Sequence, residues 1–171
     1  MKRMITIAVL IVICQSMAFS QDDYNRYYSI TIAKLKNGSA FIELSNNSSL
    51  VGDKKYWIAA KANIALQSGL VKAKKWANLN QIKHVQFEKE VIRSYFMDKD
   101  TYLFHGYVSG FTREVKLMFN GYSDGNFICI LSFEEQGNGY VYYSFSTIED
   151  LDKMIKMLQG KSIDKIDEIF N

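Results

Sequence analysis

Phe127-Ile-Cys-Ile-Leu-Ser-Phe133 is the stretch that decides the fold, because it is apolar at every position except Ser132. A strand with one wet face alternates apolar and polar residues, so an unbroken apolar run of this length reads as a central strand covered on both faces. Turn signals bracket it. Asp124-Gly125 precedes it, and Gly137-Asn138-Gly139 follows it into a further predicted strand, Tyr140 to Phe145. Such pairs suit tight hairpin turns, whose central residues need positive φ.

Upstream the two-residue period continues. Val85, Phe87, Val91 and Tyr95 alternate with Gln86, Glu88, Glu90 and Ser94. Met97-Asp-Lys-Asp100 turns, and strands are predicted at Tyr102–Ser109 and Arg113–Asn120, joined around Gly110. Nearer the start, strands at Tyr27–Leu35 and Ser39–Ser45 flank Asn37-Gly38, a two-residue hairpin signal with positive φ at both residues. Residues 45–53 read as loop, with Asp53 placed to cap one long helix, Lys54–Asn78. Ile58, Ala62, Leu66, Gly69, Leu70, Ala73 and Ala77 form its apolar stripe, with Gly69 a point where it can kink or break. At the far end Ser146-x-x-Glu149 is a capping-box pattern, opening a helix with Ile148, Leu151, Ile155 and Leu158 on one face and Gly160 at its stop. A last helix is predicted at Ile163–Phe170. The order β-β-α-β-β-β-β-β-α-α means α+β: an antiparallel sheet of about five to seven strands, one long central helix, and C-terminal helices packed on it.

The first residues, Met-Lys-Arg-Met-Ile-Thr-Ile-Ala-Val-Leu-Ile-Val-Ile-Cys14, put two positive charges before a short aliphatic run. Ala18-Phe19-Ser20 then sets small residues two apart, as signal peptidases require. This resembles the cleaved signal peptides of Gram-negative bacteria, and the run is shorter than the about 20 apolar residues that span a bilayer. Residues 1–20 are read as leader and 21–171 as a single domain, periplasmic or extracellular. Cys14 as a lipidated cysteine is disfavoured, because bulky Ile13 precedes it where a lipoprotein box wants a small residue.

The whole chain carries a formal charge of +3, part of which leaves with Lys2 and Arg3. Such a balance is no nucleic-acid-binding charge. After cleavage Cys129 stands alone, so no internal disulfide can form and the fold must hold by its core.

Chemical motifs are tested against the context each needs. Gly121-Tyr-Ser-Asp-Gly125 matches the G-x-S-x-G pattern, but that elbow leads from a strand into a helix, and here a strand follows. His84 and His105 both precede Ser123, the reverse of the order in those hydrolases. Gly160-Lys-Ser162 lacks the earlier glycine of a phosphate loop, since Ile155 stands there. Cys129 shares an apolar row with Phe127, Leu131 and Phe133, the setting of an inert thiol rather than a nucleophile for His105. Glu88 and Glu90 share one side of a strand and read as solvated, although paired carboxylates can do acid–base work. No cofactor loop and no metal-ligand set is recognised.

Lys54 to His84 holds seven lysines and no acidic residue. On a helical wheel at about 100° per residue, they surround the helix everywhere except its alanine-rich stripe, as on a solvated back face. The alternative is a grip for an anionic glycan or lipid, carried by Lys72, Lys74, Lys75 and Trp76. The many aromatics of the sheet, among them Tyr140, Tyr142 and Tyr143, offer a second surface for a partner protein or for self-association. The expectation is an exported, non-enzymatic interaction or structural module of the bacterial cell envelope. The alternatives are an anionic glycan or lipid binder, and a small hydrolase using Ser123 or carboxylates.

Overall fold

The computed structural model describes residues 29–46, 52–136 and 139–160. The predicted leader, Cys14 and the predicted helix Ile163–Phe170 lie outside the described residues. Seven strands form one antiparallel sheet whose spatial order is the chain order: β1 (Ser29–Lys34), β2 (Ala40–Ser45), β3 (Lys54–Ile58), β4 (Phe87–Asp98), β5 (Arg113–Gly121), β6 (Phe127–Glu134) and β7 (Tyr140–Phe145). The long helix α1 (Ala60–Lys83) stands between β3 and β4. A short helix α2 (Lys99–His105) and a 3₁₀ turn, Ser109–Phe111, join β4 to β5, and α3 (Ile148–Gln159) follows β7. The fold is α+β, and Phe127–Phe133 is buried throughout.

Two elements differ from expectation. Lys54–Ile58 is a strand, not the start of the helix. Ile58 fits the helical stripe by spacing, but Tyr56, Trp57 and Ile58 are all buried, with Trp57 on the face opposite its two neighbours. A two-residue period covered on both sides serves all three, and β3 pairs with both β2 and β4. Asp53 caps nothing; its carboxylate accepts the Asn46 N–H at 3.2 Å. The second difference is Tyr102–Ser109, which is not a strand. Tyr102 instead stacks on Trp57 with ring centroids 4.0 Å apart, which draws α2 across the outer side of the sheet.

The hairpins use one device twice. Leu35 and Ser39 close the β1–β2 turn, Tyr122 and Asn126 the β5–β6 turn. Each encloses three residues, and in each only the last, Gly38 or Gly125, has positive φ. These are three-residue loops with a left-handed glycine, not the two-residue turns expected. Asn37 Oδ1 and Asp124 Oδ1 each accept the N–H two residues on, at 3.0 and 2.9 Å. That side-chain bond holds the asparagine or aspartate at negative φ and leaves the tight corner to glycine.

The sheet is strongly curved. Tyr56 of β3 stacks on Phe133 of β6 with centroids 4.4 Å apart. In a flat sheet three strand spacings would separate them by about 14 Å. A bulge between Glu90 and Ile92 lies in the twelve-residue β4, where it bends the long strand. The concave side is filled by α1 and α3, through Leu66, Leu70, Ala73 and Ala77 of α1 and Leu151, Met154 and Leu158 of α3.

Two buried asparagines tie α1 down. Asn63 Nδ2 donates to the Gly38 carbonyl at 2.8 Å, and Asn80 Nδ2 donates to those of Tyr122 and Asn126 at 3.0 and 2.8 Å. Each end of α1 is thereby fastened to one of the two glycine turns. Gly69 neither kinks nor breaks the helix; a Cβ there would sit 2.7 Å from Ile92, so the glycine sets how closely α1 approaches β4. The helix runs on to Lys83 and stops at His84, whose left-handed φ of 54° ends it. In α3 the cap is one residue later than expected: Thr147 Oγ1 accepts the Asp150 N–H at 3.1 Å.

Candidate functional site

The lysine-rich helix does not present its four predicted residues as one grip. Lys74 bonds both carboxylate oxygens of Asp152 on α3, at 2.6 and 2.7 Å, and so serves to join the helices. Trp76 is half-buried and meets Phe87 and Phe119 edge-on, with centroids 5.9 and 5.7 Å away. Lys72 reaches over its ring at 4.9 Å and Lys89 at 5.8 Å. The ring is thus a pier between the core and two cations. Lys75 is exposed, as are Lys61, Lys72 and Lys83.

Between these lysines lies what the sequence reading missed. Ile64, Val71, Leu79 and Ile82 are exposed, Ile82 at 72% of its full area. The lysine ring is therefore interrupted by a second apolar stripe, opposite the one that packs on the sheet. The signal was present: Ile64, Val71 and Ile82 are separated by two and three helical turns and fall within about 20° of one line.

A second exposed apolar surface is the segment from α2 to β5. Phe104 is 86% exposed, and Leu103, Tyr107, Val108 and Phe111 are exposed beside it. His105 sits between Phe104 and Phe111, with ring centroids 5.1 and 5.5 Å away. Beneath, Tyr102 and Trp57 stack, and Phe41 meets Tyr102 edge-on at 5.9 Å. Trp57 Nε1 is buried with no hydrogen-bond acceptor among the described residues, so stacking and burial hold it. The result is an aromatic projection on a rigid footing. Nothing in its local pattern separates it from a strand; the footing comes from residues far away in sequence.

The tyrosines of β7 do not share a surface. Tyr140 and Tyr142 lie together on the outer side, with centroids 6.1 Å apart. Tyr143 turns inward against Phe145, where burial and, less, Asp150 push its hydroxyl pKa up. It lines a cleft of about 290 Å³ with Ser29, Ile30, Asp150, Lys153 and Met157, between the two edge strands and α3.

The candidate catalytic groups have other partners. Ser123 lies in the β5–β6 turn, and the turn's Gly125 lies against the His84 ring. Asp124, whose pKa is lowered by hydrogen bonds from Asn126, is committed to the backbone N–H and the side-chain amide of that residue, the latter at 2.7 Å. Cys129 is fully buried, and burial pushes its thiol up to about 12. Glu90 pairs with Arg93 at 2.7 Å, which lowers its pKa, and Arg93 also meets Glu114 at 2.8 Å.

Among the described residues no helix is long and apolar enough to cross a membrane. The chain matches no protein-family model, no curated protein and no solved structure.

Proposed function

We propose that this chain is an exported, non-enzymatic interaction module of the bacterial cell envelope. The leader-like residues 1–20 support export. The observation that carries the interaction reading is the aromatic projection: five large apolar side chains, Leu103 to Phe111, exposed together on a segment pinned by the Tyr102–Trp57 stack. Clustered exposed aromatics of this kind mark partner-binding surfaces, since rings give large contact area with few rotamers to fix. The partner is a protein or a second copy of this chain. Affinity capture from native envelope extract with Gln21–Asn171 as bait tests it. A protein retained at low and high salt by the wild type, and lost with Phe104→Ser, is the expected result. Equal recovery by both baits removes the projection from the interface.

A second reading has its own support. Among the described residues Lys74 is the one lysine of α1 with a carboxylate within 4 Å, and α1 contains no Asp or Glu. That favours an anionic glycan or lipid as ligand of this helix.

A further inference from the structure

From the exposed arc of α1 we infer that this helix lies on an anionic lipid surface, in the plane of the headgroups. The inference rests on the reading of α1 as an anion-binding element and names which anion it meets. Lys61, Ile64, Val71, Lys72, Lys75, Leu79, Ile82 and Lys83 share an arc of about 120° on the helical wheel. All are exposed. Four cations and four aliphatic side chains are interleaved along it.

Charge complementarity selects the occupant. Among the described residues, five acids of the sheet are paired there: Glu43 with Lys55, Glu135 with Lys54, Glu90 and Glu114 with Arg93, Asp98 with Arg113. All those pairs belong to the strands and their connections. In the described helix layer Asp152 is taken by Lys74, Asp150 accepts the Thr147 hydroxyl at 2.8 Å, and exposed Lys153 and Lys156 stand against exposed Glu149. Among the described residues the helix side is therefore the cationic side. A polyanionic glycan would satisfy the lysines and leave Ile64 and Ile82 in water. A bilayer surface supplies both parts, phosphates for the lysines and an acyl boundary for the aliphatics. The asparagine ties at both ends hold α1 to the sheet, so it is presented as a rigid bar with no refolding needed.

Every residue of the described core lies between Ile30 and Leu158, so the chain from Gln21 carries that core whole. That chain is mixed with phosphatidylglycerol vesicles, phosphatidylcholine vesicles and dextran sulfate. The expected result is salt-sensitive binding to phosphatidylglycerol vesicles and none to phosphatidylcholine. Replacing Lys61, Lys75 and Lys83 by Gln lowers vesicle binding about a hundredfold, near fivefold per charge. Replacing Ile64, Val71 and Ile82 by Ser lowers it at least tenfold and leaves the melting temperature unchanged. Dextran sulfate binding by the unsubstituted chain, with no binding to phosphatidylglycerol vesicles, overturns the lipid assignment and keeps the anion reading. Failure to bind either overturns both. Vesicle binding that survives the lysine replacements also overturns the assignment.

Discussion

The aromatic rings of the concave side and those of the projection are chemically alike and do opposite work. Phe133 is fully buried, stacked on Tyr56 and edge-on to Phe96 at 5.2 Å. Phe104 meets a histidine ring at a steep angle and is otherwise in water. The lysines divide the same way: Lys54 bonds Glu135 at 2.7 Å where the sheet curls, while exposed Lys75 on α1 has no such partner among the described residues. What a ring or a charge does here is decided by what closes over it. In this molecule curvature and the two helices do the closing.

The sharpest way to break that contrast is to truncate one ring on each side. Phe133→Ala is expected to cost about 3–5 kcal/mol, as buried phenylalanines do. Phe104→Ser should stay within about 0.5 kcal/mol of wild type. Urea unfolding of the two variants measures both, and comparable losses would erase the distinction.

Next in size is the tie at the end of α1. Asn80→Leu leaves two carbonyls and the Val85 N–H without the partners Asn80 supplied, the latter at 3.1 Å. The expected cost is about 2–3 kcal/mol. Amide hydrogen exchange should show faster exchange in the last turns of α1 than in β6.

Smallest is the charge pair inside the curl. Burial pushes the Glu135 pKa up, but hydrogen bonds from Lys54 and Tyr56 outweigh it, so the net shift is below the ordinary 4.5. A depressed pKa contributes stability that is present above 4.5 and lost as pH falls through the folded value. Glu135→Gln should therefore show a shallower loss of stability on acidification below that point. Lys75→Gln should leave the acid limb where it is, and coinciding limbs for wild type and Glu135→Gln would remove the pair from the account.

Much of the fold was legible because the central strands advertise themselves. The apolar run Phe127–Phe133 has one physical solution, and its bracketing turns dictate antiparallel neighbours. What misled was local ambiguity. Ile58 sits four residues before Ala62, so a strand end and a helix stripe look continuous. Tyr102 to Ser109 carries aromatics at strand-like spacing, and only Trp57, more than forty residues away, explains why they fold as helix and turn. The candidate site was less legible still. That Lys74 is spent on Asp152 depends on α3 lying alongside α1, a juxtaposition no local pattern encodes. The exposed aliphatics of α1 are regularly spaced, but they are interleaved with lysines on the same arc, so no uninterrupted apolar stripe marks them.

The strict chain-order arrangement of the strands bears on how the molecule assembles. Each strand pairs only with its neighbours in the sequence, so none has to be threaded between two already joined. The sheet can grow by addition at one border as the polypeptide emerges, with each new strand finding its template already in place. Among the described elements the exception is α3, which packs back onto β1, the first strand of the described sheet. This long-range step follows all seven described strands and seals the concave side, so a chain stopped before Thr147 would carry those seven strands with an unsealed interior.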